Sequence, residues 1–196
     1  MNTTKLILAS GSPRRRELLT LAGYDFEVIV SDADEHVGAT DPARFVELAS
    51  LKKAEAVFAS HADRTVIGSD TVVAIDGRII GKPRDEADAY DTLFTLSGRT
   101  HIVYTGVTVL APGRFVTFHD ATSVTFAKLS EAEIRRYIAT GEPLDKAGAY
   151  GIQGPASVFV DHIEGCYFTI IGMPLPKLYR TLKEFGIYPQ GFMPRA

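Results

Sequence analysis

Three consecutive arginines, Arg14, Arg15 and Arg16, follow the small-residue turn "SGSP" in "LILASGSPRRRELLTLAG", residues 6–23, where an apolar run gives way to helical spacing. Cations in a first helical turn face the positive end of the helix dipole, so a helix built this way is stabilised by a negative ligand. Backbone N–H groups at such a start, crowded by guanidinium groups, form a receptor for phosphate. The plain alternative is three arginines pointing into water, and the strand-to-helix context weighs against it.

Carboxylates supply the complementary chemistry. Asp70 follows "VIGS" at an apparent strand end, and an acid embedded in apolar strand sequence needs a reason to be there. A second acidic group, Asp32, Asp34 and Glu35 in "SDADEH", lies near another strand end. Carboxylate and phosphate oxygens together are what Mg²⁺ prefers. Two lysines, Lys53 in "KKAEA" and Lys82 in "GKP", add further cations, although "GKPR" lacks the glycine spacing of a P-loop. Gln153, between glycines in "AYGIQG", has one acceptor and two donors to offer a planar base or, equally, its own turn.

Other chemistries find little support. The five histidines show neither HExxH nor paired metal spacing, and there is no G-x-S-x-G elbow. The one cysteine, Cys166, sits before "YFTII" and reads as a small packed residue.

These side chains need a scaffold. Residues 5–9 read as a strand, with Ser12 as N-cap and Pro13 at the first position of a helix stopped by Gly23. Residues 26–30 read as a second strand. Asp41-Pro42 opens a helix to about Ala59 with an apolar stripe through Phe45, Leu48 and Val57. Residues 65–83 predict a strand interrupted at "GSD" and a hairpin at Asp76-Gly77. A helix over 85–96 precedes two antiparallel strands between Thr100 and Phe126. Ser130 and Glu133 have capping-box spacing, 141–157 reads as loop, "VFVDHIEGCYFTIIG" as a hairpin, and Pro174 to about Phe185 as a closing helix. Mixed crossovers and hairpins imply an α/β fold with a mixed sheet. The chain reads as one domain over 1–196, with residues 188–196 frayed.

Length and charge bound the rest. A chain of 196 residues, 45% hydrophobic, buries one sizeable core. A formal net charge of -3 argues against a broad basic surface for duplex nucleic acid, so an anion site must be local. One cysteine allows no internal disulfide, and no apolar run reaches the roughly 20 residues of a membrane span, which fits a soluble, cytoplasmic protein.

Taken together, "LASGSPRRRELL", "GSDTVV", "GKPRDEADA", "LSGRTHIVYTGV" and "DKAGAYGIQG" resemble, in order and over nearly the whole chain, the Maf family of nucleoside triphosphate pyrophosphatases. The resemblance implies a mixed, curved sheet with a deep nucleotide-binding cleft, commonly in a homodimer. It implies hydrolysis of a nucleoside triphosphate to monophosphate and pyrophosphate with a divalent cation, usually Mg²⁺, with Mn²⁺ or Co²⁺ as substitutes. By this likeness Asp70 is the proton acceptor, and Asp70 and Glu35 hold the metal. Arg14, Thr71 and Gln153 choose the base, while Ser10, Arg15, Lys53 and Lys82 handle phosphate. The lysine of the long helix is doubled, Lys52-Lys53, after Ala49-Ser50 where the family has an apolar pair. "DKAGAYGIQG" is similar to the branch acting on dTTP, UTP and modified uridine triphosphates rather than 7-methyl-GTP. The alternatives are nucleotidyl transfer, for which consecutive glycines are missing at Ala9 and Ser10, and a non-catalytic regulator of septum formation.

Overall fold

A computed structural model of the chain describes residues 6–33 and 37–191. Its strands are β1 (Leu6–Leu8), β2 (Glu27–Val28), β3 (Thr65–Ile75), β4 (Arg78–Ile80), β5 (Thr100–Ala111), β6 (Arg114–Phe126) and β7 (Val160–Glu164). Its helices are α1 (Pro13–Leu21), α2 (Pro42–Phe58), α3 (Glu86–Leu96), α4 (Glu131–Ile138), α5 (Tyr167–Ile171) and α6 (Leu175–Glu184). Among the described residues the seven strands form one mixed sheet, ordered β2-β1-β3-β5-β6-β7, with β4 also on β3. The expected α/β class with a mixed sheet is what the chain adopts.

β3 organises the molecule. Leu6–Leu8 of β1 run parallel to Thr65–Ile67, and β4 runs antiparallel to Val73–Ile75 on the same side. Among the described residues, 68–72 have no strand partner on that side, while β5 pairs continuously along the other. The sequence predicts an interrupted strand at "GSD"; instead the strand is unbroken and its edge partner changes. Gly, Ser and Asp have low strand propensity, but continuous pairing to β5 overrides it.

α2 lies directly on β3 and β5. A Cβ on Gly68 would fall 2.1 Å from the Ser50 carbonyl oxygen, and one on Gly106 would fall 2.1 Å from that of Val46. Only glycine allows backbone to approach backbone so closely. The buried face of α2 is therefore Val46, Ala49, Ser50, Ala54 and Val57, mostly small residues. Of the stripe expected at Phe45, Leu48 and Val57, only Val57 is buried; the other two are half-buried. Small side chains win this face because bulkier ones would hold the helix off the sheet. Asp41 caps α2, its carboxylate accepting the Arg44 N–H at 2.8 Å.

Several local expectations hold, and others do not. Asp76 and Gly77 both take positive φ, as a type I′ hairpin requires. Ser130 and Glu133 form the capping box of α4. Ser12 occupies the N-cap position of α1 without a side-chain cap bond; its own N–H reaches Ser10 Oγ at 3.3 Å. "VFVDHIEGCYFTIIG" is not a hairpin: β7 is followed by α5, whose β-branched residues look strand-like. Gly165 and Gly172, at φ 126° and 115°, turn the chain at either end, and α5 buries Thr169 and Ile171. Residues 141–157 hold 3-10 turns. Within the segment expected to fray from 188, the Gln190 N–H bonds the Gly23 carbonyl at 2.7 Å, and residues 192–196 lie outside the described chain.

The larger core packs α3, α4 and α6 against the sheet around Phe126, Leu93 and Leu182, and a smaller one under α2 joins Ile7, Val57 and Val66. His101, 1% exposed, sits in the larger core against Phe126 and shares a 2.8 Å hydrogen bond with the Tyr150 hydroxyl. Burial lowers its pKa from 6.5 to about 4. The unfolded chain therefore binds the extra proton as pH falls from about 6.5 to about 4, and stability declines across that window by up to roughly 3 kcal/mol. Urea midpoints measured from pH 7 to pH 4.5 should fall less steeply in His101→Gln than in the parent. Parallel slopes would show that His101 does not carry the effect.

Candidate active site

The cleft opens where β1 stops and β4 has not yet begun. A cavity of about 820 Å³ lies there, bounded by the β1–α1 turn, the middle of β3, the end of β4 and the segment around Gly151. Its position beyond the carboxyl end of β1, between the two strands that share one edge of β3, is where open α/β sheets hold ligands. Because residues 68–72 have no strand partner on that side among the described residues, the neighbours Asp70 and Thr71 both line the cavity although successive strand side chains point to opposite faces.

Asp70 forms the floor. Its Oδ1 accepts from Lys53 Nζ at 2.6 Å, and the two side chains are 14% and 12% exposed. Lys53, not Lys52, lines the cavity. The glycine seats under α2 determine this separation, since they bring the helix down until a lysine on its next turn reaches the strand.

The arginines divide. Arg14 and Arg15 line the cavity, and Arg16 is exposed outside it. Among the described residues Arg15 is held by three neutral acceptors: Nη1 donates to Ser10 Oγ at 3.0 Å, Nη2 to Thr71 Oγ1 at 3.1 Å, and Nε to the Gly172 carbonyl at 3.0 Å. Ser69 Oγ donates to the same Gly172 carbonyl at 2.9 Å. Lys82 lines the opposite rim, just past β4, where the Gly81 carbonyl accepts the Gly148 N–H at 3.0 Å.

That bond joins the Lys82 rim to the segment carrying Gln153, which is exposed at the cavity mouth. The segment rests on Glu142. A Cβ on Gly154 would lie 2.0 Å from Glu142 Oε1, so a side chain there would require the Glu142 carboxylate to move. Tyr137 accepts the Gly151 N–H at 3.3 Å, and burial followed by the Glu142 charge pushes its hydroxyl pKa up. Asp145 and Lys146 complete the mouth; the hydrogen-bonded Lys146 ammonium, and more weakly Arg14, hold the Asp145 carboxyl below its ordinary range. Sequence reasoning did not single out Asp145, Lys146, Tyr150 or Phe45 as lining residues, although the first three lie within the quoted "DKAGAYGIQG".

The structure thus brings Ser10, Arg14, Arg15, Lys53, Asp70, Thr71, Lys82 and Gln153 onto one cavity. Glu35 lies outside the described residues. Among the described residues no three His, Cys, Asp or Glu side chains converge as a metal cage. A floor carboxylate in a cation-rimmed cleft suits a hard cation that takes one or two protein carboxylates and completes its shell with phosphate oxygens and water.

A mixed-sheet α/β protein with cations ringing a floor carboxylate belongs to the class that receives phosphate chains at a strand-to-helix turn. Residues 5–185 match the family model described as Maf-like protein, and the chain belongs to the Maf family. It is 52% identical over 187 residues to a Bacillus cereus (strain ATCC 10987 / NRS 248) protein named dTTP/UTP pyrophosphatase, covering 95% of this chain and 92% of that one. A Bacillus anthracis protein of the same name is 52% identical over 184 residues, covering 93% and 96%. Among solved structures, the Staphylococcus aureus Ham1 protein superposes with a TM-score of 0.56 at 14% identity, over 92% of this chain and 98% of that one, a likeness of fold. No helix among the described residues is long and apolar enough to cross a membrane.

Proposed function

We propose that this protein hydrolyses nucleoside triphosphates to the monophosphate and pyrophosphate, with dTTP, UTP and modified uridine triphosphates preferred, as a housecleaning activity that limits incorporation of non-standard nucleotides. The observation that carries the reading is the Lys53–Asp70 pair on the floor of a cavity rimmed by Arg14, Arg15 and Lys82. Relatives 52% identical over nearly their full length, named for this activity, support it.

In this reading Arg15, Lys53 and Lys82 bind the phosphate chain and offset the charge that develops on departing pyrophosphate. Ser10 braces Arg15 through its 3.0 Å bond. Asp70 orients a water toward the α-phosphorus and accepts its proton, while Lys53 holds the carboxylate in place. Asp70, with Glu35, is the group to hold the divalent cation, Mg²⁺ in the first instance and Mn²⁺ or Co²⁺ as substitutes, which when bound would neutralise phosphate charge. Arg14, Thr71 and Gln153 choose the base. The family likeness also supports one catalytic domain, a homodimer, a cytoplasmic setting and a free nucleotide as partner, without nucleic acid or membrane.

A panel of triphosphates with Mg²⁺, scored for pyrophosphate, should give fastest release from dTTP, UTP or a modified uridine triphosphate. Release from purines alone would overturn the base assignment. Dependence on an added sugar phosphate would turn the reading to nucleotidyl transfer, and binding without hydrolysis under Mg²⁺, Mn²⁺ or Co²⁺ to a regulatory role.

A further inference from the structure

Thr105 is fully buried on β5, directly across from Thr71 in the register of β3 and β5. Its hydroxyl lies 2.7 Å from the Thr169 carbonyl and 2.9 Å from the Thr71 hydroxyl. A carbonyl oxygen has no proton, so the proton of Thr105 goes to Thr169. Thr105 then has only a lone pair to offer Thr71, which must donate its own proton to Thr105. Arg15 Nη2, 3.1 Å from Thr71 Oγ1, has no lone pair to accept with and donates as well. The direction of the chain is therefore determined: Arg15 to Thr71 to Thr105 to the Thr169 carbonyl.

The consequence for the cavity is chemical. Thr71 has one proton and two lone pairs, and the proton and one lone pair are spent on the protein. Anything that enters meets an acceptor and no donor at this hydroxyl. We propose that Thr105 is a positioning residue for base choice: by taking the Thr71 proton it makes Thr71 a pure acceptor, matched to a pyrimidine ring carrying an imide N–H, as in uracil and thymine. The bare ring nitrogen of cytosine would face a lone pair instead. This rests on the reading of Thr71 as a base-selecting residue in a nucleotide cleft.

The test is the ratio of dissociation constants for the α,β-methylene forms of CTP and UTP, measured by calorimetry with Mg²⁺ so that no hydrolysis intervenes. The full-length parent should favour the UTP form by about tenfold, the scale of one hydrogen bond left unmade in a closed site. Thr105→Val removes the acceptor, freeing the Thr71 proton to turn toward the cavity, and should bring the ratio within about threefold of unity. Thr105→Ser keeps an acceptor and should retain the parental ratio. Thr105→Cys, whose thiol accepts poorly, should move the ratio in the valine direction and carries the test if the valine variant does not fold. General loosening of the site weakens both nucleotides together and leaves the ratio alone. An unmoved ratio in the valine or cysteine variant, a serine variant shifted as far as valine, or a parent indifferent between the two nucleotides would overturn the proposal. Failure of the parent to release pyrophosphate from UTP or dTTP counts against the proposed function instead, and the binding ratio still decides the role of Thr105.

Discussion

Asp70→Asn should lower pyrophosphate release from UTP by about a hundredfold or more, the scale of losing a positioned general base. Asparagine is nearly isosteric, and its Oδ1 can still accept from Lys53, which in the parent donates to Asp70 at 2.6 Å. What disappears is the negative charge and with it the capacity to take a proton from water. The folded structure should therefore survive, with a thermal midpoint within about 3 °C of the parent, a shift corresponding to about 1 kcal/mol in a chain of this size. Steady-state pyrophosphate assays beside a thermal melt separate the two effects. An Asp70→Asn protein that turns over at a rate near the parent's would remove Asp70 from the proposed chemistry.

Gly106→Ala should have the largest effect on stability. An added methyl would sit 2.1 Å from the Val46 carbonyl oxygen and 2.3 Å from its carbon. Those atoms belong to the backbone of α2, so no side-chain rotation relieves the overlap, and the whole helix must lift from the sheet. We expect a loss of about 4 kcal/mol or more, from a total that for ordinary domains is about 5–15 kcal/mol. Gly38→Ala, with no atom of the described residues within 4 Å of the added carbon, should be close to neutral and serves as the control. A Gly106→Ala protein melting with the parent would mean that α2 does not rest on β5 as described. Where the variant folds at all, Lys53 should be drawn away from Asp70, because the helix that lifts is the one that carries it.

Much of the site was legible because its chemistry is concentrated in short stretches. Arg14 and Arg15 at a strand-to-helix turn, Asp70 in apolar sequence, and Lys82 after a strand all face one cavity. What the sequence hid follows from distance along the chain. Thr105 looks like any threonine in a strand, where its type is common for reasons of shape, and only the folded register places it opposite Thr71. Gly68 and Gly106 lie 38 positions apart, yet they seat the same helix. The "YFTII" run has the look of a strand in the sequence because short apolar segments carry no decisive periodicity. In the structure it is a helix bracketed by glycines at positive φ. The buried stripe of α2 departs from the expected one because a helix resting on glycine buries small residues rather than large ones.

The stretch of β3 that lacks a strand partner on one side among the described residues has a mechanical consequence. Asp70 and Thr71 are consecutive links in a strand pinned along its other flank, so neither can shift without carrying the other. With the roles proposed for these two residues, a nucleotide that seats its ring badly cannot be rescued by a local adjustment at Asp70, and discrimination should surface in turnover as well as in occupancy. Arg14, in the first helical turn of α1, and Gln153, at the mouth, by contrast, lie off the sheet, where changes of residue disturb no strand; with the roles proposed above, drift in ligand preference is easiest there, while the scission step stays anchored in the framework.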